Sequence, residues 1–291
     1  RSEVYRRALE AQGADIQTLG CAGFFGAPIE YAALAADSSR PQLPALMAAK
    51  YRVTDTGVPR SLEATRSSRL HASHAWRAFK SSSLSSFAFV DAMGLLFVGK
   101  LLGETFGKWR SADTHEHAGL SPDEDRARAP RITSRADGEP LPADERCLLA
   151  EGMLRMMSLT RGFARLVVLV GHRGGTRNNP HAAGLDCGAC CGQTGEVNAR
   201  AAAALLNDAD VRAGLAARGL EIPQTTRFIA GLHNTTTDDV ALFGEDEVPE
   251  SHRHELADLR ARLARASTKA RRERAPGLGL DGLSDPELHA A

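Results

Sequence analysis

The hydrophobic and polar positions along this chain follow two periods, one typical of amphipathic helices and one typical of buried strands. Where apolar residues recur at three- and four-residue spacing, the pattern predicts a helix. The segments with this spacing are 2–12, 62–80, 145–159, 198–206 and 209–218. Gly13 and Gly219 directly follow two of these segments, as expected at helix ends.

Apolar runs of strand length predict three strands, at 16–22, 163–170 and 226–232. The run at 163–170 is nearly continuous, which is typical of a strand covered on both faces of a parallel sheet. Because helices alternate with these strands, we expect an α/β fold with three layers and one mostly parallel sheet. The chain begins directly in a helical pattern at Arg1, so this sheet is expected to be incomplete at its N-terminus.

Two stretches between these elements are less regular. Residues 87–98 are apolar enough for a buried helix or strand, whereas 103–145 combine prolines, acids and arginines without a sustained period. The second stretch is therefore interpreted as a surface insertion. His115 and His117 lie within it, and a solvated loop explains them better than a metal site does. The predicted organisation is an α/β domain over 1–245 followed by a basic helical extension over 246–291.

The C-terminal extension predicts an amphipathic helix. Leu256, Leu259, Leu263 and Ala266 recur on one face. The other face is cationic and carries Arg260, Arg262, Arg265, Lys269, Arg271, Arg272 and Arg274. Two interpretations stay open: the helix packs on its own domain, or its basic face meets a partner or an anionic membrane surface.

Composition narrows the possible classes of function. Lys and Arg together number 36, as do Asp and Glu, so the chain has no net charge that would recruit nucleic acid. No stretch approaches the ~20 apolar residues that a membrane-spanning helix needs. The five cysteines are an odd number, and three of them lie within five residues. Such a set suits metal or thiol chemistry in a reducing compartment better than a disulfide framework.

The candidate chemistry lies just after the strand predicted at 163–170. His172 is expected one residue past that strand, at the sheet edge where α/β proteins build their sites. Cys187 follows fifteen residues later, after a glycine-rich stretch that lets backbone approach closely. Imidazole and thiolate are both natural zinc ligands. Loop residues that could orient His172 are Asn178, Asn179, His181 and Asp186, although turn formation explains each of them as well.

Three interpretations of the cysteines compete. Cys187 and Cys190 could form half of a zinc knuckle, although the chain has no second Cys-x-x-Cys pair. They could instead form a redox pair. In the third interpretation Cys187 alone is a metal ligand, and Cys190 and Cys191 are small buried residues. The residues alone favour the third interpretation only slightly.

The run GHRGGTRNNPHAAGLDCGACCG at 171–192, with NARAAAALLN at 198–207 and IPQTTRFIAGLHNTTTD at 222–238, resembles the DabA family of inorganic carbon transporter subunits. The similarity is densest over 146–240 and extends more loosely to RSEVYRRALEAQG at the start and to the basic tail. The resemblance implies a β-carbonic-anhydrase-like domain that binds Zn²⁺. It assigns His172 and Cys187 to two zinc-ligand positions.

The same resemblance assigns Arg1, Ser2 and Glu3 to the end of a Cys-x-Asp-x-Arg-Ser-Glu element. The Cys and Asp of that element, the other two zinc ligands, would precede Arg1 by three residues and by one. Arg1 would pair with that Asp and help to decide whether the Asp binds zinc. With half of the ligands, this chain alone is expected to bind zinc poorly and to be inactive.

The function implied by the resemblance is energy-coupled hydration of CO₂ to bicarbonate. It implies a peripheral protein on the cytoplasmic face of the inner membrane, bound to a membrane-embedded DabB-type subunit. Two alternatives remain: a thiol-redox protein that uses Cys187 and Cys190, and a zinc-binding scaffold without catalysis. His233 and the segment 235–238 match the family pattern but receive no role from the sequence.

Overall fold

A computed structural model describes residues 2–81, 98–99, 102–103, 118–175 and 181–290. The described helices of four or more residues are α1 (Ser2–Glu10), α2 (Gly23–Gly26), α3 (Arg60–Ser81), α4 (Pro122–Ala127), α5 (Ala143–Met156), α6 (Glu196–Asn207), α7 (Ala209–Ala217), α8 (Arg253–Arg274) and α9 (Asp285–Ala290). The strands are β1 (Ile29–Ala32), β2 (Arg40–Pro41), β3 (Tyr51–Thr56), β4 (Ala129–Arg135), β5 (Leu166–Arg173), β6 (Arg227–Asn234) and β7 (Val240–Phe243).

The strands form two mixed sheets rather than one mostly parallel sheet. The first has the order β2-β1-β3-β4, with β1 parallel to β3 and antiparallel to β2. The second has the order β5-β6-β7, with β5 parallel to β6 and β6 antiparallel to β7. The α/β class and the parallel neighbours β5 and β6 are therefore confirmed, while the expectation of a mostly parallel sheet is wrong.

The strand predicted at 16–22 does not form. This segment is irregular up to α2, and Leu19 is 58% exposed. The hydroxyl of Thr18 bonds instead with Arg6 and Glu10 of α1. A strand needs a neighbouring strand to satisfy its backbone, and none of the described strands pairs with this segment. The local apolar pattern was therefore misleading.

Part of the stretch 103–145, predicted as a surface insertion without regular structure, forms a helix and a strand. Residues 129–135 form β4 at the edge of the first sheet, and Pro130 is tolerated there because an edge strand leaves some amides outside the ladder. Helix α4 precedes it, capped by Ser121 and Glu124 in a reciprocal capping box. His115 and His117 lie outside the described residues, and so does all of the apolar stretch 87–98 except Val98.

The second sheet carries helices on both faces. On one face α6 packs against β5 and β6, over the buried side chains of Phe228, Ala230 and Leu232. On the other face Val168 and Ile229 pack with Leu256 of α8. Helix α1 then packs against α8. The residues of that contact are Tyr5, Ala8, Leu263, Ala266 and Ala270.

The chain divides into two compact units. The first holds 1–32, 39–54 and 129–291 and contains both sheets except for the last two residues of β3. The second holds 33–38 and 55–128, and a buried arginine organises it: Arg66 donates to the carbonyl oxygens of Leu34 at 2.7 Å and Ala118 at 3.0 Å. The predicted boundary between 245 and 246 stays a prediction. No helix in the described part of the chain is long and apolar enough to cross a bilayer.

Candidate metal centre at the end of β5

The two parallel strands β5 and β6 place a histidine side by side near their ends. His172 is in register with His233, and Arg173 with Asn234. His172 was expected one residue after its strand, but it lies within β5, which continues to Arg173. Residues in register on adjacent strands point to the same face of a sheet, so the two imidazoles share the face that α1 and α8 cover.

On the opposite face of the sheet, the end of β5 contacts the residue before α6 through two glycines, Gly171 and Gly195. A Cβ atom on Gly171 would lie 2.2 Å from the carbonyl oxygen of Gly195, so only glycine allows the end of β5 to meet the residue that precedes α6. This contact lets the Gly195 amide donate to the carbonyl oxygen of His172 at 2.9 Å. The main chain of His172 is therefore fixed from the α6 side.

Cys187 lies in a tight turn that returns to His172. Its amide donates to the carbonyl oxygen of Gln193 at 3.2 Å, and its own carbonyl accepts from the amides of Cys190 at 3.0 Å and Gly192 at 3.1 Å. The Cys187 side chain is buried. These backbone bonds fix the main chain that carries the thiol.

The imidazole of His172 and the thiol of Cys187 lie close enough for each to shift the pKa of the other. The Cys187 thiol raises the pKa of His172, although partial burial opposes the shift. The pKa of Cys187 falls to about 4, first because the Cys190 side chain hydrogen-bonds to it and then because His172 does so, against the effect of burial. Zinc binds the thiolate form of cysteine, and this turn stabilises that form.

Asp186 holds the glycine-rich segment that links the two candidate ligands. Its carboxylate accepts a hydrogen bond from the Gly174 amide at 2.9 Å. Burial raises the pKa of Asp186, while the bond to Gly174 opposes that shift. The negative charge of Asp186 contributes in turn to the raised pKa of His172. Of the residues predicted to orient His172, Asp186 is thus close to it, and His181 is exposed.

Three residues of the predicted site, Arg1, Asn178 and Asn179, lie outside the described residues. Cys190 is buried as expected, but Cys191 is exposed, because a left-handed turn at φ 59° points it outward. All five cysteines are free thiols. Among the described side chains, no group of three or more His, Cys, Asp or Glu residues could hold a metal ion. Imidazole and thiolate are donors that a tetrahedral zinc site accepts, and the assignment of His172 and Cys187 as zinc ligands stays a prediction.

The loop between β6 and β7 received no role from the sequence pattern, and the structure places it beside the candidate site. The amide and hydroxyl of Thr235 both donate to the carbonyl oxygen of Arg173, at 2.8 and 3.0 Å. The hydroxyl of Thr236 accepts from the Gly175 amide at 2.9 Å. The signal that could have found it is the similar ending of the two strands, Gly-His-Arg in β5 and Leu-His-Asn in β6.

These observations define the class of protein: an α/β domain with a histidine and a cysteine close together at a strand end. Residues 1–290 match the family described as "Probable inorganic carbon transporter subunit DabA", and the chain belongs to this DabA family. It is 44% identical over 99% of its length to "Probable inorganic carbon transporter subunit DabA 1" of Bradyrhizobium sp. (strain ORS 278). It is 46% identical over 98% of its length to the DabA protein of Chloroflexus aggregans (strain MD-66 / DSM 9485), and 43% identical over 96% to that of Acidithiobacillus ferrooxidans (strain ATCC 53993 / BNL-5-31).

The chain spans 35% of the length of each of these three relatives. No solved structure matches it.

Proposed function

We propose that this chain is part of an inorganic carbon transporter subunit that hydrates CO₂ to bicarbonate with zinc, and that His172 and Cys187 supply two of the metal ligands. The observation that carries the proposal is that these two side chains come together at the end of β5, where each shifts the pKa of the other. Imidazole nitrogen and thiolate sulfur are the donors that zinc accepts in tetrahedral sites. Membership of a family named for inorganic carbon supports CO₂ or bicarbonate as the substrate.

The two remaining ligands are proposed to be the Cys and Asp that would precede Arg1 by three residues and by one. Helix α1 supports this arrangement. The Tyr5 ring lies 4.5 Å from the ring of His233, which is the register partner of His172. Because a helix rises ~1.5 Å per residue, its start at Ser2 is only ~5 Å along the axis from Tyr5. Residues that precede α1 can therefore reach the same edge of the sheet, where Arg1 would pair with the Asp.

A three-layer, β-carbonic-anhydrase-like arrangement is part of the proposal. Its support is that the sheet holding His172 has α6 on one face and α8 on the other. When bound, zinc would supply a Lewis acid that lowers the pKa of a coordinated water towards neutrality. The residues of this chain would hold the donor atoms still: Gly195 fixes the backbone of His172, and the turn at 187–193 fixes Cys187.

A membrane-embedded DabB-type subunit is the proposed partner, with this protein peripheral on the cytoplasmic face of the inner membrane. The word subunit in the relatives' names supports a complex of more than one chain. The exposed cations Arg265 and Lys269 on α8 are the residues most able to meet an acidic partner or membrane surface. Arg272 is also exposed, but it already pairs with Asp285. Arg262, Arg271 and Arg274 are less exposed and bind acidic side chains of this chain.

The test is the zinc content of a protein that also carries the residues preceding Arg1. We expect one zinc per chain, and we expect His172→Ala or Cys187→Ala to release it. Cys190→Ser and Cys191→Ser are matched controls that should retain zinc, because neither residue is a proposed ligand. Equal zinc in the wild type and in both ligand variants would contradict the proposal.

A thiol-redox function is the second candidate, because Cys190 hydrogen-bonds to the thiol of Cys187. In that reaction the two thiols would be oxidised to a disulfide, and two electrons and two protons would pass to an acceptor such as oxidised glutathione. Redox equilibration followed by mass spectrometry distinguishes the candidates. A Cys187–Cys190 disulfide in glutathione buffers at a cytosolic ratio, without bound zinc, would favour redox chemistry. Stoichiometric zinc without CO₂ hydration in an ¹⁸O-exchange assay would indicate a zinc-binding scaffold.

A further inference from the structure

The loop 234–239, which joins β6 to β7, bonds to the main chain immediately after His172. Thr235 donates twice to the carbonyl oxygen of Arg173, and Thr236 accepts from the Gly175 amide. A Cβ atom on Gly175 would lie 2.7 Å from the Asn234 amide nitrogen, so the two segments touch. The position of this loop therefore sets the position of the backbone that leads away from His172.

Asp238 holds this loop in its shape. It is fully buried, and its backbone is left-handed at φ 59°, a conformation that costs energy for any residue other than glycine. One carboxylate oxygen lies 3.0 Å from Nε2 of His233, and the other bonds to the guanidinium of Arg274. The Asp238 amide donates to the carbonyl oxygen of Asn234 at 2.7 Å.

Helix α8 supplies the cations that complete the loop. Arg274 donates to the carbonyl oxygens of Thr235 and Thr236, both at 3.3 Å. Arg271 donates to the carbonyl oxygen of Thr237 at 2.7 Å and to Asp239 at 3.2 Å. Three consecutive loop carbonyls are thus bound by two arginines of one helical turn. Charged, largely buried contacts of this kind hold backbone more firmly than neutral hydrogen bonds do.

We infer that Asp238 is a positioning residue for His172: with His233 and Arg274 it fixes the loop that anchors Arg173 and Gly175, and so it keeps His172 in contact with Cys187. The inference rests on the proposed function where it concerns zinc. It also assigns a role to His233, which lies in register with His172 at the strand end. The proposed metal ligands alone do not explain that position. It also explains why the loop contacts α8 and β5 at once.

The experiment compares Asp238→Asn with Asp208→Asn in the protein that carries the residues preceding Arg1. Asn keeps the shape of Asp but loses the charge that binds Arg274. Asp208 caps α7 by accepting from the Val211 amide, at the far end of α6 from the site, so its variant makes the same chemical change elsewhere. We expect Asp238→Asn to weaken zinc binding ~10–100-fold in chelator competition, as loss of groups that orient metal ligands does. The visible spectrum of the cobalt-substituted protein should change with it, and Asp208→Asn should leave both unaltered.

A second readout without metal separates this inference from the proposed zinc function. Hydrogen exchange of the Gly195 amide, which donates to the carbonyl oxygen of His172, should become faster in chelator-treated Asp238→Asn and stay unchanged in Asp208→Asn. Should zinc content not depend on His172 at all, the proposed function fails, and this exchange measurement still decides the role of Asp238. Equal Gly195 exchange in the wild type and Asp238→Asn, with both proteins folded, would overturn the inference.

Discussion

Gly171 and Gly195 touch through their backbones: a Cβ atom on Gly171 would lie 2.2 Å from the Gly195 carbonyl oxygen and 2.9 Å from its Cα atom. The clashing atoms are main chain, so no side-chain rotation can relieve them. Because the Gly195 amide also donates to the carbonyl oxygen of His172, this contact joins the packing of α6 to the candidate site.

Gly171→Ala is expected to destabilise the protein by about 3 kcal/mol, since overpacking against fixed backbone forces a strand or helix to move. Urea unfolding measures this. The control is Gly152→Ala in α5, an exposed helical position where a new Cβ meets no atom within 4 Å. That variant should gain up to about 1 kcal/mol from helix propensity. A Gly171→Ala variant as stable as the wild type would show that the contact is not tight.

Cys191→Gly is expected to stabilise the protein. Cys191 has φ 59°, a left-handed conformation that costs a residue with a Cβ atom about 1–2 kcal/mol. The greater freedom of glycine in the unfolded chain offsets about 0.4–1 kcal/mol of that gain. The net effect should be a rise of a few tenths to about 1 kcal/mol in the free energy of unfolding, measured in urea. Cys191→Ala keeps the Cβ atom and should show no gain; equal stabilisation by both variants would point to removal of the thiol instead.

The part of the site that could be predicted from the sequence is the placement of His172 and Cys187 at a strand end. Both β5 and β6 are apolar runs, of which β6 is buried and β5 only partly buried. Parallel neighbours end at one edge, so His172 could be expected beside Cys187 in the loop that follows. The segment 16–22 has a similar local pattern, yet it forms no strand. Local periodicity reports which side chains could be buried and not whether a neighbouring strand is there to pair with them.

The loop 234–239 could not be predicted because its partners are distant in the chain. Asp238 is bound by Arg274, thirty-six residues later, and Thr235 by Arg173, sixty-two residues earlier. The sequence pattern of α8 placed Arg271 and Arg274 on a solvent or partner face. Long arginine side chains can instead fold back onto the carbonyl oxygens of a loop, and helical spacing alone does not distinguish the two outcomes.

We expect the buried Tyr5 side chain to make the free energy of unfolding fall at alkaline pH. Burial raises its pKa to about 12, and the charges of Asp238 and Asp239 act in the same direction. The ordinary pKa of about 10 applies to the unfolded chain. The folded state therefore keeps the proton longer, so the contribution of Tyr5 is complete below pH 10 and declines as pH rises to 12. A two-unit shift corresponds to about 2–3 kcal/mol.

Tyr5→Phe should remove this dependence. At pH 8 the variant should be about 1 kcal/mol less stable than the wild type, because the hydroxyl donates to the carbonyl oxygen of Leu263 at 3.0 Å. By pH 12 the order should reverse, since Phe has no proton to lose. Urea unfolding of both proteins at several pH values measures the difference and cancels the titration of other residues. A constant difference across this range would contradict the assignment.

Arg271 and Lys269 lie two residues apart on α8, yet charge reversal should affect them very differently. The Arg271 side chain is only 12% exposed and binds Asp239 and the carbonyl oxygen of Thr237, whereas Lys269 is exposed. Arg271→Glu would place a carboxylate beside Asp239 and leave a loop carbonyl without its donor, so we expect a loss of about 2–4 kcal/mol in urea unfolding. Lys269→Glu should change stability by less than about 0.5 kcal/mol, because exposed charges contribute little. Any effect of Lys269→Glu on membrane or partner association, measured by fractionation at two salt concentrations, would then report docking and not folding. If both variants were equally stable, the arginines of α8 would be exposed to solvent. The whole basic face of α8 would then be available to a partner or a membrane surface.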